Sequence, residues 1–216
     1  MNPAQVRFTA AADGDLSILQ DPTVVAARRR GVVDLPWTWL RQVHGADVVL
    51  VGSPGDGAGR EADAAVTAQP GAVLAVQTAD CAPVALVSPE GVVGAVHAGW
   101  RGVHQGVLQA AVEAMHDLGA TDVAATLGPC IHAECYEFGA DDLALLAGRF
   151  GDGVRGTTKS GTPALDVPAA VRAALAEAGV DQVDDVDVCT ACDARYFSHR
   201  ARGDTGRQAL VVWLDP

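Results

Sequence analysis

Apolar positions along this chain fall into two kinds of run. Three short stretches rich in apolar and β-branched residues, WTWLRQVH (37–44), AVLAVQTADC (72–81) and VVGAVH (92–97), predict strands that give way to polar or glycine-rich turns. RGVHQGVLQAAVEAMHDLG (101–119) instead sets Val103, Val107, Leu108, Ala111, Met115 and Leu118 at helical spacing, with Gly119 as its stop. Beyond it the pattern predicts a strand over 123–128, a polar, sulfur-bearing loop over 128–139, a helix over 140–150 and a surface loop over 151–164. Asp166 caps a second clear helix, DVPAAVRAALAEAG, with Pro168 in its first turn and Gly179 past its end. A strand over 185–189, a loop and a strand over 207–214 close the chain. Strands cluster in 37–97 with little helix between them, and no repeat or linker interrupts the pattern. The expectation is one α+β domain over residues 1–216, a layered mixed β-sheet core with flanking helices.

The strand ends carry the chemistry. His44, Cys81 and His97 each close an apolar run, and together they form a Cys/His₂ set that suits zinc and tolerates copper. Such a set is one ligand short of a closed tetrahedron, which leaves room for water or substrate. Strand alternation puts Gln42 with His44 on one face and Arg41 with Val43 on the other, so Arg41 is a candidate for a supporting or phosphate contact. Asp80 reads either as an acceptor or proton carrier beside Cys81, or as a turn residue capping its own backbone. HAGWRG (97–102) sets Arg101 and the free N–H groups of a helix start next to His97, the ingredients of an anion site. Cys130 and Cys135 are expected near the pocket wall. Cys189 and Cys192 read as incidental thiols, because no second CxxC completes a structural zinc site. His104 and His116 fall on the helix surface, and His132 is assigned no role.

Composition narrows the partners. A net charge of −12 argues against a nucleic-acid or anionic-membrane partner, and no apolar stretch reaches spanning length. The start lacks the basic and apolar regions of a secretory signal, so a cytoplasmic location is expected. Five cysteines without such a signal favour reduced thiols with metal or catalytic roles. Lys159 is the sole lysine, so cationic contacts to phosphate fall to arginine.

RQVHGADV, ADAAVT, TADCAPV, HAGWRG, LGPCIHAECYEFG and CT…YFSHRARGDTGRQALVVWL, in that order, resemble the motif series of the laccase-domain proteins. That family was once labelled multicopper polyphenol oxidoreductase and is now understood as purine nucleoside phosphorylases. The resemblance runs from about residue 36 to 214. It implies a layered α and β fold related to cysteine-hydrolase-like toxins, and a zinc on His44, Cys81 and His97. It also implies phosphorolysis of adenosine, inosine and methylthioadenosine, deamination of adenosine, and in some bacterial relatives a link to peptidoglycan precursor fidelity. The chain departs from the pattern at FTAAADGDLS (8–17), where the family carries a Thr-Arg-Gly-rich motif.

Phosphorolysis needs phosphate held against the ribose, for which Arg41 and Arg101 are candidates, and a proton for the departing purine, for which Asp80 is the candidate. Two other chemistries use the same residues. One is a metal-free hydrolase or deamidase with Cys81 as nucleophile and His97 or His44 as base. The other is a copper-dependent polyphenol oxidoreductase, for which six histidines are few.

Overall fold

The computed structural model describes residues 2–216. Four strands, β1 (Ala4–Phe8), β2 (Trp37–Trp39), β5 (Val73–Thr78) and β12 (Gln208–Leu214), form a sheet in the order β1-β12-β5-β2. Six others, β3 (Val48–Leu50), β4 (Ala64–Thr67), β6 (Ala82–Ser88), β7 (Val92–Ala98), β8 (Ala124–Leu127) and β11 (Gln182–Asp185), form a second in the order β11-β8-β6-β7-β4-β3. Both sheets are mixed. β2 runs parallel to β5 and β3 to β4, while β6 and β7 pair antiparallel along their whole length.

Strand alternation stacks the sheets and helices in layers. On β6, Val84 and Leu86 join Leu108 and Met115 of helix α3 (Val107–Asp117) and Val171 and Leu175 of α5 (Val167–Glu177). Ala85, between them, faces the other way, into a cluster with Leu74, Val76, Leu210 and Val212 of the four-stranded sheet. The far face of that sheet carries Trp37, Val73 and Val211 against Leu16 and the end of α1 (Pro22–Val32). Sheets covered on both faces need apolar residues at every position, and so β5, β6, β7 and β12 read as continuous runs. Full burial of a side chain such as Leu74 or Leu86 stabilises by about 2 kcal/mol.

Helix α5 forms as its sequence predicts: the Asp166 side chain accepts from Ala169 N at 2.9 Å, and Gly179 follows at φ 78°. The 101–119 segment differs. Gly106 adopts φ 96° and splits it into α2 (Trp100–Gln105) and α3. The expected strand over 185–189 sits earlier, as β11, and the 151–164 loop contains a hairpin of β9 (Arg155–Thr157) and β10 (Pro163–Leu165). α1 and β6 were not anticipated. For α1 the signal was local, since Asp21 accepts from Thr23 N and Val24 N with Pro22 in the first turn. β6 is masked because the apolar run continues through a bend at residues 79–81, where Asp80 takes φ 94° and carries the chain from one sheet to the other.

Candidate metal centre and flanking clefts

One buried carboxylate organises the site. Asp63, just ahead of β4, is fully buried, and its Oδ1 accepts from His44 N at 2.9 Å and lies 2.7 Å from His97 Nδ1. Its Oδ2 accepts from Val43 N at 3.1 Å and Gly45 N at 2.8 Å. This clamp bends residues 43–45 and holds His44 at φ 60°, a backbone state that costs a non-glycine residue about 1 kcal/mol or more. His44 is therefore not at a strand end: β2 stops at Trp39, and the alternation expected across 41–44 does not apply. Gln42 lines the same cleft as His44, Cys81 and His97, but its side-chain amide is committed to both backbone groups of Gln77, at 2.7 and 2.8 Å. His97 does lie at the end of its strand, β7, buried and with Nδ1 committed to Asp63.

The three expected ligands converge. Their donor atoms all lie within 4.8 Å of one another, with His44 Nε2 3.8 Å from Cys81 Sγ. A tetrahedral zinc with bonds of about 2.0–2.3 Å separates its nitrogen and sulfur ligands by about 3.6 Å, so the donor set and spacing fit that ion. With Nδ1 held by Asp63, His97 offers Nε2, in the carboxylate–histidine arrangement common behind metal ligands. Close packing enforces the placement: a Cβ on Gly99 would stand 2.6 Å from His44 Cδ2, and one on Gly102 2.7 Å from Gly45 O.

The groups polarise one another. Burial pushes the Cys81 thiol up, but the imidazoles of His97 and His44 outweigh it and bring it down to about 6. Burial disfavours the His97 cation, yet the Cys81 sulfur and the Asp63 carboxylate raise it to about 9. Burial likewise opposes charge on Asp63, and the bonds from His97 and from the backbone at residues 43 and 45 still hold it below the usual carboxylate range. Without a metal, the site at neutral pH is a thiolate–imidazolium pair beside a carboxylate.

Two clefts meet at His44 and Cys81. The first, about 480 Å³, is walled by Ile18, Leu19 and Leu40, with Thr78, Arg41 and His199 among its polar groups. The Thr78 hydroxyl is buried and has no protein partner. The second, about 400 Å³, holds Trp100, Tyr136 and Phe138 with the guanidinium groups of Arg101 and Arg200. Arg41 and Arg101 therefore line different clefts. Arg41 pairs with Glu61 at 3.0 Å on the surface, a contact worth well under about 1 kcal/mol. Arg101 lies 4.3 Å over the Trp100 ring, and α2 spans six residues, so the guanidinium and not a long helix dipole supplies the positive charge.

Asp80 and Cys130 lie elsewhere than expected. Asp80 is buried and lines neither cleft; its carboxylate accepts from Thr190 Oγ1 and from Arg200 N, each at 2.7 Å. It anchors the bend that presents Cys81. Cys130 is buried, its thiol free and its backbone paired with that of Cys189, instead of forming a cleft wall. Asp63, Thr78, Arg200 and His199 were not singled out from the sequence. Asp63 had a signal, as a lone acid within the apolar ADAAVT run.

The family described as multi-copper polyphenol oxidoreductase laccase matches residues 11–215. A Streptomyces coelicolor protein named purine nucleoside phosphorylase is 45% identical over 195 residues, covering 88% of this chain and 80% of the relative. Another so named, YfiH of Shigella flexneri, is 39% identical over 180 residues, covering 82% and 73%. Among solved structures, YlmD from Geobacillus stearothermophilus superposes with a TM-score of 0.87 at 29% identity, covering 99% of this chain and 92% of that one. A Neisseria meningitidis protein of the DUF152 family gives 0.86 at 30%, covering 99% and 95%. No helix among the described residues is long and apolar enough to cross a membrane. The chain belongs to the laccase-domain family, whose curated relatives carry the name purine nucleoside phosphorylase.

Proposed function

We propose that this chain is a zinc-dependent purine nucleoside phosphorylase, splitting adenosine, inosine and methylthioadenosine with phosphate, and that it also deaminates adenosine. The observation that carries the reading is the position of His44 and Cys81 between two unlike clefts. The first cleft offers apolar walls for a flat base, with Arg41 and His199 among its polar groups. The second offers Arg101 and Arg200 for phosphate. A nucleoside lying across the junction presents its C1′–N bond between them. Phosphate attacks C1′, the glycosidic bond breaks, and the purine leaves with a proton. His199, on the wall of the first cleft, would supply that proton, while Asp80 acts as a positioning residue through Arg200 and Thr190. Zinc held by His44, Cys81 and His97 would supply a Lewis acid that polarises an oxygen of substrate or water. The names of the relatives accord with nucleoside substrates.

Incubation with adenosine and phosphate should give adenine and ribose 1-phosphate, and base release should cease without phosphate. Inosine should form whether or not phosphate is present. Metal-loaded protein that releases no base from any of the three nucleosides would overturn the reading. The thiolate–imidazolium pair of Cys81 and His97 favours one rival, a metal-free thiol hydrolase. Iodoacetamide separates the two, since a metal-bound Cys81 resists alkylation and a free thiolate does not.

A further inference from the structure

A second group of soft donors lies away from both clefts' junction. Cys135 ends a short turn of 3₁₀ helix (Ala133–Cys135), Cys189 sits where the backbone pairs with that of Cys130, and Cys192 follows in the next turn. Sequence spacing gave Cys189 and Cys192 no partners; the fold brings them Cys135 and Glu134. One donor atom from each of the four lies within 4.8 Å of the others. Cys135 Sγ is 3.4 Å from Cys192 Sγ, and Cys192 Sγ is 3.8 Å from Glu134 Oε1.

We propose that Glu134, Cys135, Cys189 and Cys192 form a second, closed zinc site with a structural role. A tetrahedral zinc with sulfur bonds of about 2.3 Å sets its sulfurs about 3.8 Å apart, close to what the side chains already adopt. Three sulfurs with one carboxylate oxygen suit zinc better than copper(I), which is selected by soft ligands alone. Charge points the same way. Three thiolates and a carboxylate carry four negative charges, which a divalent cation and the Lys159 ammonium, 3.4 Å from Cys192 Sγ, largely cancel.

The site braces the catalytic bend from behind. Thr190, between two of the ligands, donates to Asp80, the residue before Cys81. Arg202 ties the same turn through the carbonyls of Thr190 and Ala191, at 3.1 and 3.2 Å.

The test is zinc content of the full chain purified without chelator or metal-affinity tag. Wild type should hold two zinc ions per chain, and the Cys81→Ala/His97→Ala double variant should keep one. In wild type, Cys192 should resist iodoacetamide until a strong chelator is added, and then label rapidly. A folded double variant with no zinc would overturn the proposal. So would chelator-independent labelling of Cys192, a readout that requires no variant to fold. A Cys135–Cys192 disulfide in protein kept under reducing conditions would overturn it in favour of a redox pair.

Discussion

Asp63 Oδ1 lies 2.7 Å from His97 Nδ1, and the same carboxylate takes the backbone N–H groups of residues 43, 44 and 45. One side chain thus fixes the tautomer of one metal ligand and the backbone of another. Asp63→Asn keeps the size but turns a donor toward groups that all donate. Each orphaned buried group costs about 1–3 kcal/mol, so the melting temperature should fall by several degrees. Zinc affinity should drop by roughly 10–100-fold, as for other carboxylates behind ligating histidines. Chelator competition and a thermal melt measure both; an unchanged affinity would sink the role given to Asp63.

Gly99 separates placement from stability. Its φ of −69° suits any residue, so the backbone tolerates alanine. The added Cβ, however, would meet the His44 ring at 2.6 Å. Gly99→Ala should therefore weaken zinc binding by at least about tenfold while leaving the melting temperature of the metal-free chain nearly unchanged. Loss of fold instead of metal would place the effect in the core.

These two residues show where sequence reasoning reached and where it stopped. Strands buried on both faces announce themselves as apolar runs, and Asp166 and Pro168 mark a helix start, because these signals are local. His44, Cys81 and His97 were legible as unusual residues ending apolar runs, although only His97 proved to be at a strand end. Asp63 was harder, because its meaning depends on backbone groups about twenty residues earlier and a ring on β7. The Cys135 partnership with Cys189 and Cys192 spans 57 residues from Cys135 to Cys192 and has no spacing signature at all. Asp80 read either as a proton carrier beside Cys81 or as a turn residue; it does sit in a bend, at φ 94°, but its carboxylate bonds reach Thr190 and Arg200, far along the chain.

Zinc binding should depend on pH with a definite sign. The metal requires Cys81 as thiolate and a neutral His97 Nε2. In the metal-free chain Cys81 titrates near about 6 and His97 near about 9, so at neutral pH the thiolate is formed and the imidazolium still holds its proton. Binding at neutral pH should then release about one proton. Affinity should climb roughly tenfold per pH unit up to about 9, with a steeper slope below about 6 where a second proton must leave. The raised His97 value also stabilises the metal-free fold, fully below about 6.5 and no longer once pH rises past about 9. Calorimetry in buffers of different ionisation enthalpy counts the protons; none released at neutral pH would contradict the ion pair.

Arg101 and Arg41 line different clefts, and their variants should fail differently. Arg101, held over Trp100 at 4.3 Å, lines the cleft assigned to phosphate. Hydrogen bonds to a charged group contribute about 1.5–3 kcal/mol, so Arg101→Ala should raise the KM for phosphate roughly 10–100-fold. Arg101→Lys should recover little of this, because a point charge lacks the planar two-pronged donor set and stacks poorly on tryptophan. Arg41 faces the cleft assigned to the base, paired at the surface with Glu61. Arg41→Ala should change the KM for nucleoside and leave that for phosphate within about twofold. Initial rates with each substrate varied against the other, held saturating, separate the two effects. If Arg41→Ala raised the phosphate KM and Arg101→Ala did not, the clefts would have to exchange roles, with phosphate bound beside Leu40 and the base stacked near Trp100.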